Sequence, residues 1–185
     1  MSAVTQYCAL RRPSGFTLVD LAIALAILAI LFAVAIPSWG RYFAQQGVRD
    51  RADALADSFV LARAEAIRRG ARVAICPRSA DSCDPDAPGW ERGWVIFADD
   101  NHNGVHDPGE AIVGREGAAV PGITIRGNRP VADYVSYTSI GQLRRVDGAL
   151  QMGSFVVCRS GIAGTKVVLA NGGRVRIAPA DGVCP

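Results

Sequence analysis

Three groups of side chains carry the chemistry of this 185-residue sequence. The first is Gly173-Arg174-Val175-Arg176, in which two guanidiniums stand at i and i+2. On a strand such residues project from one face, so the pair suits phosphate, while Val175 and Ile177 are expected to turn inward. Arg144, Arg145, Arg159 and Lys166 add positive charge in the same half of the chain. Phosphate contacts of this kind give affinity without sequence readout, and the absence of aromatic residues between the arginines argues against base stacking. Gly173 is read as keeping the approach free of side-chain bulk.

The second group is the loop Asp99-x-Asn101-x-Asn103-Gly104-x-x-Asp107-x-x-Glu110. It fits a twelve-residue calcium loop, with hard oxygens at positions 1, 3, 5, 9 and 12 and glycine at 6. Its flanks read as strands rather than the helices of an EF-hand, so a self-bonded acidic turn is the competing expectation. His102 and His106 share this loop, and a solvated pair is expected there. No Ser or Cys has a plausible paired base nearby in sequence, so an enzyme is not expected.

The third group is the cysteines. Cys76, Cys83, Cys158 and Cys184 lie in the second part of the chain, with Cys8 near its start. Four cysteines allow three connectivities. Cys76–Cys83 would close a short Pro-rich loop and Cys158–Cys184 would pin the C-terminus to a strand, and that combination is expected. Zinc is disfavoured because no C-x-x-C spacing occurs.

These groups must be positioned by the elements around them. From Phe16 to Ile36 the only ionisable side chain is Asp20. A helix of that length spans roughly 30 Å, which matches a bilayer core. Arg11 and Arg12 precede it, placing residues 1–15 in the cytoplasm and those after Pro37 outside. Beyond Pro37, Val48, Ala52, Leu55, Phe59, Ala62 and Ala66 recur at helical spacing, and Gly70 ends the pattern. From Arg72 the signals become short, β-branched and punctuated by Gly and Pro. Strands are expected at 72–76, 93–98, 111–115, 123–126, 134–138, 154–158, 166–169 and 174–177, with Asn171-Gly172-Gly173 turning the last pair into a hairpin. The fold class is α+β: one long N-terminal helix, 16–70, with a membrane span over 16–36, packed on an antiparallel β domain, 71–185.

Formal charge is +3, but it is segregated. Residues 81–116 hold nine acids against two arginines, a net −7, and residues 126–176 hold eight cations against two acids, a net +6. An anionic partner is therefore expected at the C-terminal half.

Gly15-Phe16-Thr17-Leu18, with Asp20 at the fifth position after Gly15 and Pro37 closing the apolar run, resembles the class III signal of type IV pilins and pseudopilins. The resemblance implies that a prepilin peptidase cuts after Gly15 and methylates Phe16, removing Arg11, Arg12 and Cys8 with the leader. It implies an assembly role for Asp20, where the family usually has Glu: the carboxylate meets the N-terminal amine of a neighbouring subunit. The segments Leu61–Gly70, Gly93–Asp99 and Gly173–Arg176 resemble the GspH/FimT minor pseudopilins. That resemblance implies a pilin-like fold with two small sheets, other minor and major pilins as partners, and single-pass residence in the inner membrane with a periplasmic domain. In FimT-type proteins the matching Gly-Arg-x-Arg segment is implicated in binding DNA during natural transformation, so double-stranded DNA is an expected partner of Gly173, Arg174 and Arg176 here. The expected function is a minor pseudopilin of a type IV pilus. The alternatives are a GspH-type pseudopilin of type II secretion and a membrane-anchored calcium-binding module.

Overall fold

A helix, α1, runs over Leu18–Arg69 and is followed, among the described residues, by nine strands. The structure is a computed structural model and describes residues 17–79, 82–83 and 89–184, the side chains of 34–38 excepted. The chain divides between Gly40 and Arg41 into two compact units.

In the first unit, the described apolar side chains from Leu18 to Phe32 are exposed around the whole circumference of α1. The helix starts with a reciprocal cap: Thr17 Oγ1 accepts from the Asp20 backbone N–H at 3.2 Å, and an Asp20 carboxylate oxygen accepts from Thr17 N at 3.0 Å. That is a capping box with Asp in the position usually held by Glu or Gln. Among the described residues no helix is long and apolar enough to cross a membrane. The expected span over 16–36 is therefore not met by the described residues, because its apolar side chains there stop at Ala33, short of the ~20 residues a bilayer core requires. Phe16 and the side chains of 34–36 lie outside them.

In the second unit, the rest of α1 lays its apolar stripe on two antiparallel sheets. Val48, Ala52, Leu55, Phe59, Ala62 and Ala66 are all fully buried. The alanines let the helix backbone approach the sheets closely, and Phe59 fills the space left between them. Its ring lies 5.3 Å from Phe155 and 6.2 Å from Trp90. Truncating such a ring to Ala costs about 3–5 kcal/mol. Both buried indoles are satisfied, Trp90 donating to Ala132 O at 2.7 Å and Trp94 to Ser58 Oγ at 2.8 Å. At the helix C-terminus Ala71 N donates to Ala66 O and Gly70 N to Ile67 O, with Gly70 at φ 64°. This pair of bonds is a Schellman cap, which calls for glycine at the left-handed position.

The first sheet contains β1 (Val73–Ser79), β2 (Ser82–Cys83), β3 (Trp94–Ala98), β4 (Ile112–Glu116) and β6 (Val135–Tyr137). Its path is β2-β1-β3-β4, with β6 also pairing with β1. The second sheet runs β5 (Ile123–Gly127), β7 (Gly153–Arg159), β8 (Ala163–Leu169) and β9 (Val175–Val183), so β9 is an edge strand. All eight expected strands form, and the structure adds β2 and a 3-10 turn at Trp90–Arg92. Strand β9 continues well past the expected 177. It can pass through Pro179 because the proline sits on an edge strand, where a missing N–H costs no ladder bond. The cysteines pair as expected, Cys76 with Cys83 inside the β1–β2 hairpin and Cys158 on β7 with Cys184 beyond β9.

Candidate nucleic-acid interface

The β8–β9 hairpin closes through Gly173 N to Ala170 O at 2.8 Å and Ala170 N to Arg174 O at 3.0 Å. Opposite Arg176 stands Val168, and opposite Ala178 stands Lys166. Alternation along β8 buries Thr165, Val167 and Leu169, leaving Lys166, Val168 and Ala170 on the outer face. Arg174 and Arg176 share that face and line a depression of about 420 Å³ with Val168, Ala170 and Val175. Both arginines are exposed, and among the described residues neither has an acidic partner. Of the two residues expected to turn inward, Val175 packs against the core, but Ile177 is 44% exposed. On an edge strand the inner side overhangs the core, and Ile177 instead lines a groove with Gln45, Arg49 and Asp53.

Gly173 does something other than clear a path for a ligand. It is buried at φ 80°, and a Cβ there would meet Gly141 O at 2.0 Å and Arg63 Nε at 2.9 Å. Its carbonyl accepts from Arg63 Nη1 at 3.2 Å, while Asn171 O accepts from Leu143 N at 2.8 Å. The glycine thus lets the hairpin tip seat against α1 and the 141–143 segment. Arg63 was legible in the sequence only as one charge on a helix face.

The remaining expected cations divide. Lys166 joins the face of Arg174 and Arg176, but its ammonium lies 3.0 Å from an Asp181 carboxylate oxygen. Arg144 and Arg145 stand in a separate turn. There Arg144 Nη1 donates to Gly148 O at 3.3 Å, and Arg145 Nε reaches Asp147 at 3.3 Å. Sequence reading did not single out Arg126. The row Arg126, Val156, Lys166, Ala178 crosses the second sheet, placing Arg126 on the same outer face. Its guanidinium is bonded to Glu91. Burial pushes the Glu91 carboxyl up, but the Arg126 guanidinium and the backbone N–H of Ile125 outweigh it and hold that carboxyl below its ordinary range. Glu116 likewise meets Arg51 at 2.8 Å, and the Arg51 guanidinium sits 4.4 Å over the Trp94 ring. The acidic and basic segments of the sequence therefore partly neutralise one another in the fold.

The five expected calcium ligands come together in one loop, but their oxygens are already engaged. Asp99 is fully buried and accepts from Asn103 N at 2.9 Å and Gly104 N at 3.2 Å. Burial pushes its carboxyl up, against the lowering effect of those two bonds. Asn101 and Asn103 both donate side-chain N–H to Asp107 at 2.7 Å, which holds the Asp107 carboxyl below its usual range. Glu110 accepts from Asp100 N and Asp107 N. Among the described residues no group of three or more His, Cys, Asp or Glu is placed to hold a metal ion. The loop covers a small cluster of Ala74, Cys76, Val95 and Phe97, with His106 edge-on to Phe97 at 5.4 Å.

The processing residues Gly15 and Phe16 lie outside the described residues. Asp20, expected to serve assembly, is occupied in the capping box with Thr17.

Comparison with known proteins agrees with this architecture. Residues 51–176 match the family model of the Type II transport protein GspH, and residues 10–36 match the prokaryotic N-terminal methylation motif. No curated protein sequence matches the chain. Among solved structures, the type IV minor pilin FimU of Pseudomonas aeruginosa aligns in two crystal forms. The first has 18% identity over 75% of this chain and 92% of FimU, with a TM-score of 0.55. The second has 19% identity over 71% and 92%, with a TM-score of 0.50. The minor pseudopilin EpsH from the Vibrio cholerae Type 2 Secretion System aligns at 13% identity over 71% and 96%, with a TM-score of 0.48. The GspH match takes in more than half of the chain, which therefore belongs to the GspH family.

Proposed function

We propose that this GspH-family chain is a minor pilin of a type IV pilus that primes assembly or sits near the filament tip, and that its Arg174–Arg176 hairpin holds duplex DNA. Its role is structural and binding rather than catalytic. In this reading a prepilin peptidase cuts after Gly15 and methylates Phe16. The run from Phe16 to Ile36 then holds the chain in the inner membrane, with the sheets outside, until other pilins take it up. The methylation motif preceding a GspH domain supports the filament role. The observation that carries the DNA role is the pair of exposed guanidiniums on one strand face, free of acidic partners among the described residues.

The test uses the full chain, isolated from the membrane of a host with a prepilin peptidase and placed in zwitterionic lipid nanodiscs. Intact mass should correspond to a chain beginning at N-methyl-Phe16; a mass beginning at Met1 overturns the processing. Two unrelated duplexes should bind with similar micromolar affinity that falls with salt. Arg174→Ala with Arg176→Ala should weaken binding at least tenfold and flatten the logarithmic salt slope by about 1.8, two contacts at ~0.9 each. Parent-like binding by that variant overturns the site. The family's description as a type II transport protein favours a second reading, in a secretion pseudopilus. Deletion should then abolish protein secretion and leave pili and DNA uptake intact.

A further inference from the structure

The Lys166–Asp181 pair differs in kind from the other ion pair on the same sheet face. Glu91 is only 22% exposed at its side chain and also holds the Ile125 backbone N–H, so its bond to Arg126 is part of the fold. Asp181 is 97% exposed at its side chain, against 28% for Lys166, and the 3.0 Å ion pair is its one side-chain bond among the described residues. It lies in the last third of β9, beyond Pro179, on the stretch where the β8–β9 register shifts between Ala163 and Thr165. An exposed pair of this sort contributes little to stability and is readily exchanged for another anion. Lys166 faces Ala178 and Arg176 faces Val168, so Lys166 and Arg176 stand on adjacent strands two residues apart. Strand spacing and rise put their Cα atoms about 8 Å from each other, within reach of neighbouring phosphates for two long cationic side chains.

We infer that Asp181 is a built-in competitor for DNA: its carboxylate occupies Lys166, and a duplex phosphate must displace it to make the third cationic contact beside Arg174 and Arg176. This rests on the DNA reading above and adds its regulation. In the resting protein the outer face offers two free guanidiniums and one screened ammonium. A phosphate strand laid along the hairpin takes over Lys166 and releases Asp181 to solvent, with no change in the fold. The competitor sets affinity lower than the cation count implies, and it makes the third contact depend on a polyanion already held by the arginine pair.

The experiment is a double-mutant cycle in the same nanodiscs, with a duplex as titrant over a series of salt concentrations. Asp181→Asn should tighten binding about three- to tenfold at low salt and steepen the salt slope by up to ~0.9, one further phosphate contact. In a Lys166→Gln background the same change should have little effect. Lys166→Gln alone should weaken binding less than twofold, because the resting contact is screened. Equal tightening by Asp181→Asn with and without Lys166 would mean simple repulsion of the duplex and would overturn the competitor role. No tightening at all would also overturn it, as would a gain confined to polyglutamate, which would assign the face to an acidic protein. If Arg174→Ala with Arg176→Ala abolishes binding while the Asp181 cycle is flat, the DNA reading stands and this inference alone falls. A parent that binds no duplex overturns both.

Discussion

Replacing Gly173 by Ala separates the structural role of this residue from that of the arginines beside it. At φ 80° an L side chain costs about 1–2 kcal/mol. The new Cβ would also sit 2.0 Å from Gly141 O, a backbone atom that cannot swing away. Relief requires the hairpin tip to lift. That breaks the 3.2 Å bond from Arg63 Nη1 to Gly173 O and strains the 2.8 Å bond from Leu143 N to Asn171 O. A bond from a charged donor is worth roughly 1.5–3 kcal/mol. Together these place the loss at about 3 kcal/mol, which for a domain of this size lowers Tm by roughly 6–12 °C. The control is adjacent: Gly172 has open space around its Cβ position, so Gly172→Ala should shift Tm by no more than about 2 °C. Thermal melts followed by near-UV circular dichroism, which reports the buried Trp90 and Trp94, measure both variants. A Gly173→Ala melt within about 2 °C of the parent would refute the backbone-contact argument and return Gly173 to the ligand-approach role read from the sequence.

Two further outcomes follow from particular contacts. Replacing Cys158 and Cys184 by Ser opens a separation of 26 residues, and replacing Cys76 and Cys83 opens one of 7. Loop entropy predicts losses of about 3.5 and about 2.4 kcal/mol, and a reversed order in urea titration would show that packing around Cys76 outweighs chain entropy. The Asp99 carboxylate caps two backbone N–H groups, so Asp99→Ala should cost about 2 kcal/mol with or without calcium. Millimolar calcium should leave the parent Tm unchanged to about one degree, and a rise that Asp99→Ala removes would establish the calcium loop instead.

The elements were legible because each carries its own period. The six core positions of α1 recur at spacings of four and three, and all six are fully buried. Gly70 marked the helix end because a left-handed cap tolerates little else, and the β-branched runs between glycines marked eight of the nine strands among the described residues. The two-residue β2 and the turn at Trp90–Arg92 were not legible. Neither is long enough to show a period: β2 is held by its local pairing with β1 and the Cys76–Cys83 bond, and the turn by a partner distant in sequence, where Trp90 donates to Ala132 O. Arg51 escaped for the same reason. Its pattern position is polar, yet the Trp94 ring, Glu116 and the Gly117 carbonyl give its guanidinium a satisfied place at the core boundary.

The site was legible as residues but not as an arrangement. A tally of −7 against +6 counts charges before the chain has paired them, and folding closes Arg126 on Glu91, Arg51 on Glu116, Arg145 on Asp147 and Lys166 on Asp181. Spacing likewise placed five oxygen-bearing side chains in one loop. It could not show that Asn101 and Asn103 turn their amide N–H groups to Asp107, so that the loop is filled by its own donors. What survives pairing among the described residues of this segment is narrower than composition implied: Arg129, Arg144, Arg159, Arg174 and Arg176 meet no acid, and of these Arg174 and Arg176 stand at i and i+2, kept on the outer face by strand alternation. Their backbone is seated by Gly173 and Arg63, through the bond from Arg63 Nη1 to Gly173 O and the close approach of Gly173 to Gly141 O. Phosphate binding scales with free cations rather than total cations. The salt slope of the parent protein should therefore report two contacts at rest and approach three only where Asp181 gives way.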